Sequence, residues 1–116
     1  MPHILLETTS DLPENADVPD ILQALVNTLC AQPDIASASV KAYHSLRSQW
    51  CVGEGHPEGI AHCTVKVLNG RSLDWRASIA DAMMSTLREQ FAASIEAGEV
   101  GVSLELREME RATYRK

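Results

Sequence analysis

Aromatic residues are scarce in this chain, and its cysteines are few. Of the 116 residues, 4% are aromatic and 45% are hydrophobic, proportions that are typical of an ordinary soluble globular protein. The three cysteines, Cys30, Cys51 and Cys63, form no Cys-x-x-Cys motif. Cys30 lies in a helical pattern and the other two lie in strand-like patterns, so we expect reduced thiols in a cytoplasmic protein.

Long apolar runs and an excess of positive charge are also missing. No run is long enough to span a membrane and no signal peptide is recognisable. The net charge of −6 argues against a nucleic-acid partner, and the short basic tail, Arg111 to Lys116, does not reverse it. The glycine-rich segment 53–59 leads into a strand, so it predicts no phosphate loop.

Metal-ligand spacing is absent as well. The four histidines are scattered along the chain: His3, His44, His56 and His62. Because adjacent strand residues point to opposite faces, His62 and Cys63 cannot act together. We therefore expect no metal.

Apolar spacing predicts four strands and two helices. The strands are expected at 2–8, 40–52, 60–68 and from residue 100 to about 106. Asp17 caps the first predicted helix, which has Pro19 in its first turn and an apolar face running to Cys30. Ser72 caps the second, with Gly98 just beyond its end. The buried stripe expected for this second helix consists of Leu73, Ala77, Ala80, Met84, Leu87, Phe91 and Ile95.

The order of these elements is strand-helix-strand, twice. Residues 1–116 then form one domain with two halves of similar architecture, about 1–55 and 56–110. Two helices with apolar stripes need one sheet face to cover, which predicts a two-layer α/β sandwich of the α+β type. A ferredoxin-like fold has the same element order, and periodicity alone leaves that alternative open.

The chain begins with Met1-Pro2-His3, followed by the apolar run Ile4-Leu5-Leu6. Methionine aminopeptidases usually remove Met before a small residue, which would leave Pro2 with a free secondary amine. Burial and a neighbouring cation favour the neutral form of such an amine, which can then act as a base or a nucleophile. Many chains begin Met-Pro for no catalytic reason, so this motif acquires meaning only in context.

Cationic side chains are candidates for holding an anionic substrate. Arg71 precedes the Ser72 cap, where backbone N–H groups and a guanidinium group can share an anion. An exposed loop arginine, or one paired with Asp74, is the alternative. One face of the second strand carries Lys41, Tyr43, Ser45, Arg47 and Gln49. That face is expected either to line an anionic pocket or to form a solvated or subunit surface.

The start Met1-Pro2-His3, the long second strand, and Gly70-Arg71-Ser72-Leu73 followed by Arg76 together resemble the 5-carboxymethyl-2-hydroxymuconate Δ-isomerase family. This family belongs to the tautomerase superfamily, with macrophage migration inhibitory factor. The resemblance implies a duplicated β-α-β fold, a homotrimer, and Pro2 as general base and acid without metal or organic cofactor. It also implies that Arg71 binds a carboxylate. Lys41 stands where the family has an arginine, and lysine lacks the bidentate fork that suits a carboxylate.

These features predict an isomerase that moves a proton within an unsaturated 2-hydroxy or 2-oxo acid, as in aromatic catabolism. Pro2 would transfer the proton. Arg71, with Lys41, Arg47 and Tyr43, would bind the substrate. The alternatives are a promiscuous tautomerase, hydratase or dehalogenase on the same scaffold, and a non-catalytic trimeric binding protein.

Overall fold

Each half of the chain folds as a β-α-β unit. The computed structural model describes Met1–Lys116. Its elements are β1 (His3–Thr9), α1 (Val18–Cys30), β2 (Lys41–Arg47), β3 (Gly59–Leu68), α2 (Leu73–Gln90), α3 (Ala92–Glu96) and β4 (Val100–Met109). Two short 3-10 helices, Pro13–Asp17 and Ser37–Ser39, precede α1 and β2. None of the helices is long and apolar enough to cross a membrane.

The sheet topology distinguishes between the two folds that share this element order. The strands lie in the order β2-β1-β3-β4, with β1 parallel to β2, β3 parallel to β4, and β1 antiparallel to β3. In a ferredoxin-like fold each β-α-β unit is split by an intervening strand. Here both units are unsplit, so the predicted duplicated β-α-β fold is confirmed and the ferredoxin-like alternative is wrong.

One face of the sheet is covered by the helices. Alternate residues of β1 and β3, such as Ile4, Leu6 and Val65, are fully buried beneath them. Helix α1 contributes Ile21, Leu25 and Leu29 to this core, and α2 contributes Ile79, Met83 and Leu87. The other face, here called the open face, carries His3 and Glu7 of β1 beside Lys41, Tyr43 and Arg47 of β2.

The buried stripe of α2 differs from the predicted one. Leu73 is 68% exposed, because it is the first helical residue and precedes the contact with the sheet. Ile79, Met83, Leu87 and Phe91 follow one another at spacings of four and form one buried ridge. Ser72 is confirmed as the cap, since its hydroxyl accepts a hydrogen bond from the Trp75 amide at 3.1 Å.

The second strand is shorter than predicted. It ends at Arg47, whose carbonyl accepts the last bond of the ladder, from the Ser10 amide at 2.9 Å. Strand β1 ends at Thr9, so residues beyond Arg47 have no neighbouring strand with which to pair. Gln49 and Cys51 therefore lie in a loop, and the prediction of a strand environment for Cys51 was wrong.

Four strand ends meet at one end of the sheet. His3, near the start of β1, pairs with Lys41 at the start of β2 and with Lys66 near the end of β3. Leu68 at the end of β3 pairs with Met109 at the end of β4. Pro2, the turn after β3 and the tail after β4 therefore all lie at this end of the sheet.

Candidate active site

A cleft of about 160 Å³ opens at the end of the sheet where the four strand ends meet. It is called the Pro2 cleft here, and its walls include Pro2, Asp34, Val67, Arg71, Trp75 and Arg111. Aliphatic side chains and two guanidinium groups thus surround one proline. Such a mixture suits a small molecule that combines apolar parts with negative charges.

Pro2 is buried at the entry to β1. Its carbonyl accepts a hydrogen bond from the Lys41 amide at 3.0 Å, which extends the β1–β2 ladder by one residue. The amine of Met1 donates to the Ser39 carbonyl at 3.2 Å. Burial, and then the positive charges of Lys41 and Lys116, lower the pKa of that terminal amine. An amine at this end of the sheet is therefore biased towards its neutral, basic form.

Arg71 lies in the turn between β3 and α2 and projects into the Pro2 cleft. Its Nη1 atom is 3.4 Å from Asp34 Oδ2, and its guanidinium carbon lies 5.0 Å from the centre of the Trp75 ring. The Trp75 indole donates to the Pro33 carbonyl at 3.0 Å, which fixes the ring. The alternative of pairing with Asp74 was therefore wrong: the acidic partner comes from the loop after α1.

Arg76 forms an ion pair near the surface and does not line the cleft. Its Nη1 atom is 3.7 Å from Glu108 Oε1, and both side chains are about one-third exposed. It thus joins the start of α2 to the end of β4.

The three other predicted binding residues lie outside the cleft of a single chain. Lys41 and Tyr43 project from the open face, where the Tyr43 hydroxyl is 3.4 Å from His3 Nδ1. Arg47 lies six residues along β2 from Lys41, and its Nε donates to Glu7 Oε2 at 3.1 Å. At about 3.3 Å per residue, this separation is roughly 20 Å. The structure therefore brings Arg71, but not Arg47, together with Pro2.

The sequence did not single out Arg111 as a lining residue. It was seen only as part of a basic tail, yet it enters the cleft because β4 ends beside β3. Asp34 was also missed; its φ of 64° lies in the left-handed region, which an aspartate tolerates better than most residues. No local sequence signal reports either placement, since both depend on pairing between distant segments.

The four histidines do not form a cluster, and only His3 lies next to Pro2 in the chain. No group of three potential metal ligands is found. His3 Nε2 lies 2.9 Å from the hydroxyl of Tyr114, which ties the tail to β1. Burial is the main cause that lowers the pKa of His3, followed by Lys41. His44 contacts Thr8 Oγ1 at 2.6 Å on the helix side of the sheet, and burial lowers its pKa too.

Comparisons with known proteins agree on one family. The family model for 5-carboxymethyl-2-hydroxymuconate isomerase matches residues 2–116. The 5-carboxymethyl-2-hydroxymuconate Delta-isomerase of Escherichia coli is 27% identical over 110 residues, covering 94% of this chain and 87% of that protein. The crystal structure of a 5-carboxymethyl-2-hydroxymuconate isomerase from Deinococcus radiodurans R1 superposes with a TM-score of 0.90. It is 30% identical and covers 99% of this chain and 87% of its own.

A more distant structure shares the fold. A protein described as a fused 4-OT wild-type symmetric trimer superposes with a TM-score of 0.74 at 16% identity, over 98% of this chain and 90% of its own. The α+β architecture with two β-α-β units is thus common to proteins of very different sequence.

Proposed function

Because this chain belongs to the 5-carboxymethyl-2-hydroxymuconate isomerase family of the tautomerase superfamily, we propose that Pro2 transfers the proton, as an N-terminal amine exposed by removal of Met1. The protein is an isomerase that moves a proton within an unsaturated 2-hydroxy or 2-oxo carboxylic acid. The observation that carries the proposal is that buried Pro2 shares one cleft with the carboxylate-binding candidate Arg71.

The chemistry needs one group that accepts a proton and returns it elsewhere. Removal of the proton from the 2-hydroxyl group of 5-carboxymethyl-2-hydroxymuconate pushes an electron pair through the two conjugated double bonds towards C5. Protonation of C5 then leaves a ketone at C2 and a double bond between C3 and C4. The proton count and oxidation state are unchanged, so a single amine that acts first as base and then as acid is sufficient.

Pro2 has surroundings that favour its basic form. After Met1 is removed, the free amine is that of Pro2, a buried residue whose carbonyl accepts a hydrogen bond from the Lys41 amide. Burial and the Lys41 charge, which lower the pKa of the Met1 amine, then act on the proline nitrogen. Lys41 is thus the proposed cation near this amine, whereas the charge of Arg71 is offset by Asp34.

Arg71 is proposed to bind a substrate carboxylate. Its guanidinium group is held against Trp75 and contacts only one carboxylate, so several N–H donors remain for a ligand. The free N–H groups at the start of α2 lie next to it along the chain and favour negative charge. As the enol proton leaves, this positive surface stabilises the dienolate that forms.

The residues on the open face are proposed to act indirectly. Lys41 tunes the amine by its charge, Tyr43 orients His3, and Arg47 fixes the far end of β1 through Glu7. We also propose that this uncovered sheet face is buried between subunits of a homotrimer. Sedimentation should show a single trimeric species at micromolar concentration, and a stable monomer would contradict this part of the proposal.

The direct test measures the loss of dienol absorbance from 5-carboxymethyl-2-hydroxymuconate by protein whose intact mass confirms a free Pro2. A form with an uncleaved residue before Pro2 should be inactive, because an amide nitrogen cannot accept the proton. The matched control carries the same extension at its C-terminus.

Pro2→Ala should lose about 100-fold or more in kcat/KM, since a primary amine has different basicity and position. Full activity of the N-terminally extended form would refute the mechanism. Inactive protein with a free Pro2 would instead favour the alternative of a binding protein.

A further inference from the structure

The Pro2 cleft contains a second arginine that no carboxylate of the chain neutralises. Arg71, Arg76, Arg47 and Arg107 each contact an acidic side chain within 4.0 Å, but Arg111 does not. Its Nη2 atom instead donates to the Asn69 carbonyl at 3.1 Å. A neutral acceptor leaves the full positive charge, and most of the five guanidinium donors, available to a ligand.

Arg111 is also held in place at its backbone. The Asn69 side-chain oxygen accepts a hydrogen bond from the backbone N–H of Arg111 at 3.0 Å. The backbone N–H of Asn69 donates to the Met109 carbonyl at 3.0 Å. The tail beyond it is anchored where the Tyr114 hydroxyl meets His3 Nε2 at 2.9 Å. The turn after β3 and the start of β1, next to Pro2, therefore both fix the segment that carries Arg111.

We propose that Arg111 is a substrate-binding residue that pairs with a carboxylate of the substrate other than the one held by Arg71. This inference rests on the proposed function, because 5-carboxymethyl-2-hydroxymuconate carries three carboxylates and one guanidinium fork can hold only one of them. The two arginines follow the paired ends of β3 and β4, and Pro2 lines the same cleft. A polyanion bridging the arginines would lie across the proline.

The charge of the whole protein makes a second arginine useful. The net charge is −6, so a substrate with several negative charges is repelled at long range unless the site is locally positive. Lys41, Arg71 and Arg111 all lie at the Pro2 end of the sheet. Arg111 is the member of this group that enters the cleft without an acidic partner.

The kinetic test compares Arg111→Gln and Arg111→Lys with Arg115→Gln, a tail control whose guanidinium contacts only tail carbonyls. With 5-carboxymethyl-2-hydroxymuconate, R111Q should lose about 10- to 100-fold in kcat/KM, mainly through a higher KM. R111K should fall between R111Q and the wild type because it keeps the charge without the fork. The kcat/KM of R115Q should stay within about twofold of the wild-type value. An R111Q enzyme with unchanged KM would overturn the proposal.

A binding test separates this inference from the proposed reaction. The probe is tricarballylate, a saturated tricarboxylate that cannot be isomerised, and its binding is followed by the fluorescence of Trp75 in a Trp50→Phe background. Trp75 lines the cleft, whereas Trp50 lies outside it, in the loop after β2, where its indole N–H donates to the Glu58 carbonyl.

Weaker tricarballylate binding in R111Q than in R115Q supports the Arg111 site even if the wild type turns over no substrate, in which case the proposed function alone fails. Equal binding in the two variants overturns the Arg111 site even if the wild type is an active isomerase.

Discussion

Replacement of Arg71 by glutamine tests whether this arginine binds substrate or merely stabilises the fold. Its ion pair with Asp34 spans 3.4 Å, and the two side chains are 40% and 63% exposed. A pair that is this exposed contributes at most about 1 kcal/mol to stability. The Trp75 contact at 5.0 Å adds about 0.5–1 kcal/mol at an exposed site. The structural loss should therefore stay below about 2 kcal/mol.

The loss in catalysis should be larger than the structural one. A charge-assisted contact with a carboxylate is worth about 1.5–3 kcal/mol, and each 1.4 kcal/mol is tenfold, so kcat/KM should fall roughly 10- to 150-fold. Arg71→Gln should raise KM and also lower kcat somewhat, because the dienolate loses a stabilising charge.

The matched control is Arg76→Gln. It also removes one ion pair of a half-buried arginine, at 3.7 Å from Glu108, but Arg76 does not line the cleft. Thermal melting at one subunit concentration and steady-state kinetics on 5-carboxymethyl-2-hydroxymuconate should be measured on both variants. Similar melting shifts with a loss of activity only in Arg71→Gln are expected. An Arg71→Gln enzyme with wild-type kinetics would remove Arg71 from the site.

Three further predictions concern Lys41 and Asp34 near the site and His44 on the helix side of the sheet. The ascending limb in the profile of kcat/KM against pH should have its midpoint below pH 8, which is the approximate ordinary pKa of an α-amino group. In pH profiles of the variants, Lys41→Gln should move that limb to higher pH, whereas Lys41→Arg should leave it in place. An unshifted limb in Lys41→Gln would contradict the proposed effect of the Lys41 charge. Asp34→Asn should lower KM about two- to fivefold, because it frees Arg71 and removes a negative charge beside an anionic substrate; a higher KM would show that Asp34 is needed to orient Arg71. Burial lowers the pKa of His44 in the folded state, so its contribution to stability is complete above its unfolded pKa of about 6.5 and is lost as pH falls below that value. Melting at pH 7 and pH 5 should therefore show a smaller drop for His44→Gln than for the wild type, and equal drops would refute this.

Much of the fold follows from local patterns. The spacing of Ile21, Leu25 and Leu29 predicts α1, and Ser72 marks the start of α2 because its hydroxyl satisfies a free amide there. The end of β2 could not be predicted in the same way. The residues after Arg47 alternate loosely like a strand, but a strand requires a partner, and β1 has already ended at Thr9. Strand length is a property of the pair rather than of one segment.

The same limit separates the site residues that sequence reasoning found from those that it missed. Lys41 and Arg47 were grouped because they share a strand face, which is correct, but the distance along the strand places them at opposite ends of the sheet. In the sequence Arg111 belongs to the basic tail, and its sequence neighbours suggest no function. The pairing of Leu68 with Met109 sets the turn after β3 beside the segment after β4, so that Arg71 and Arg111, distant in sequence, line one cleft with Pro2. Sequence motifs thus point to Pro2 as the proposed proton-transfer group and to the arginine at the helix start, whereas strand register determines which other charges lie near them.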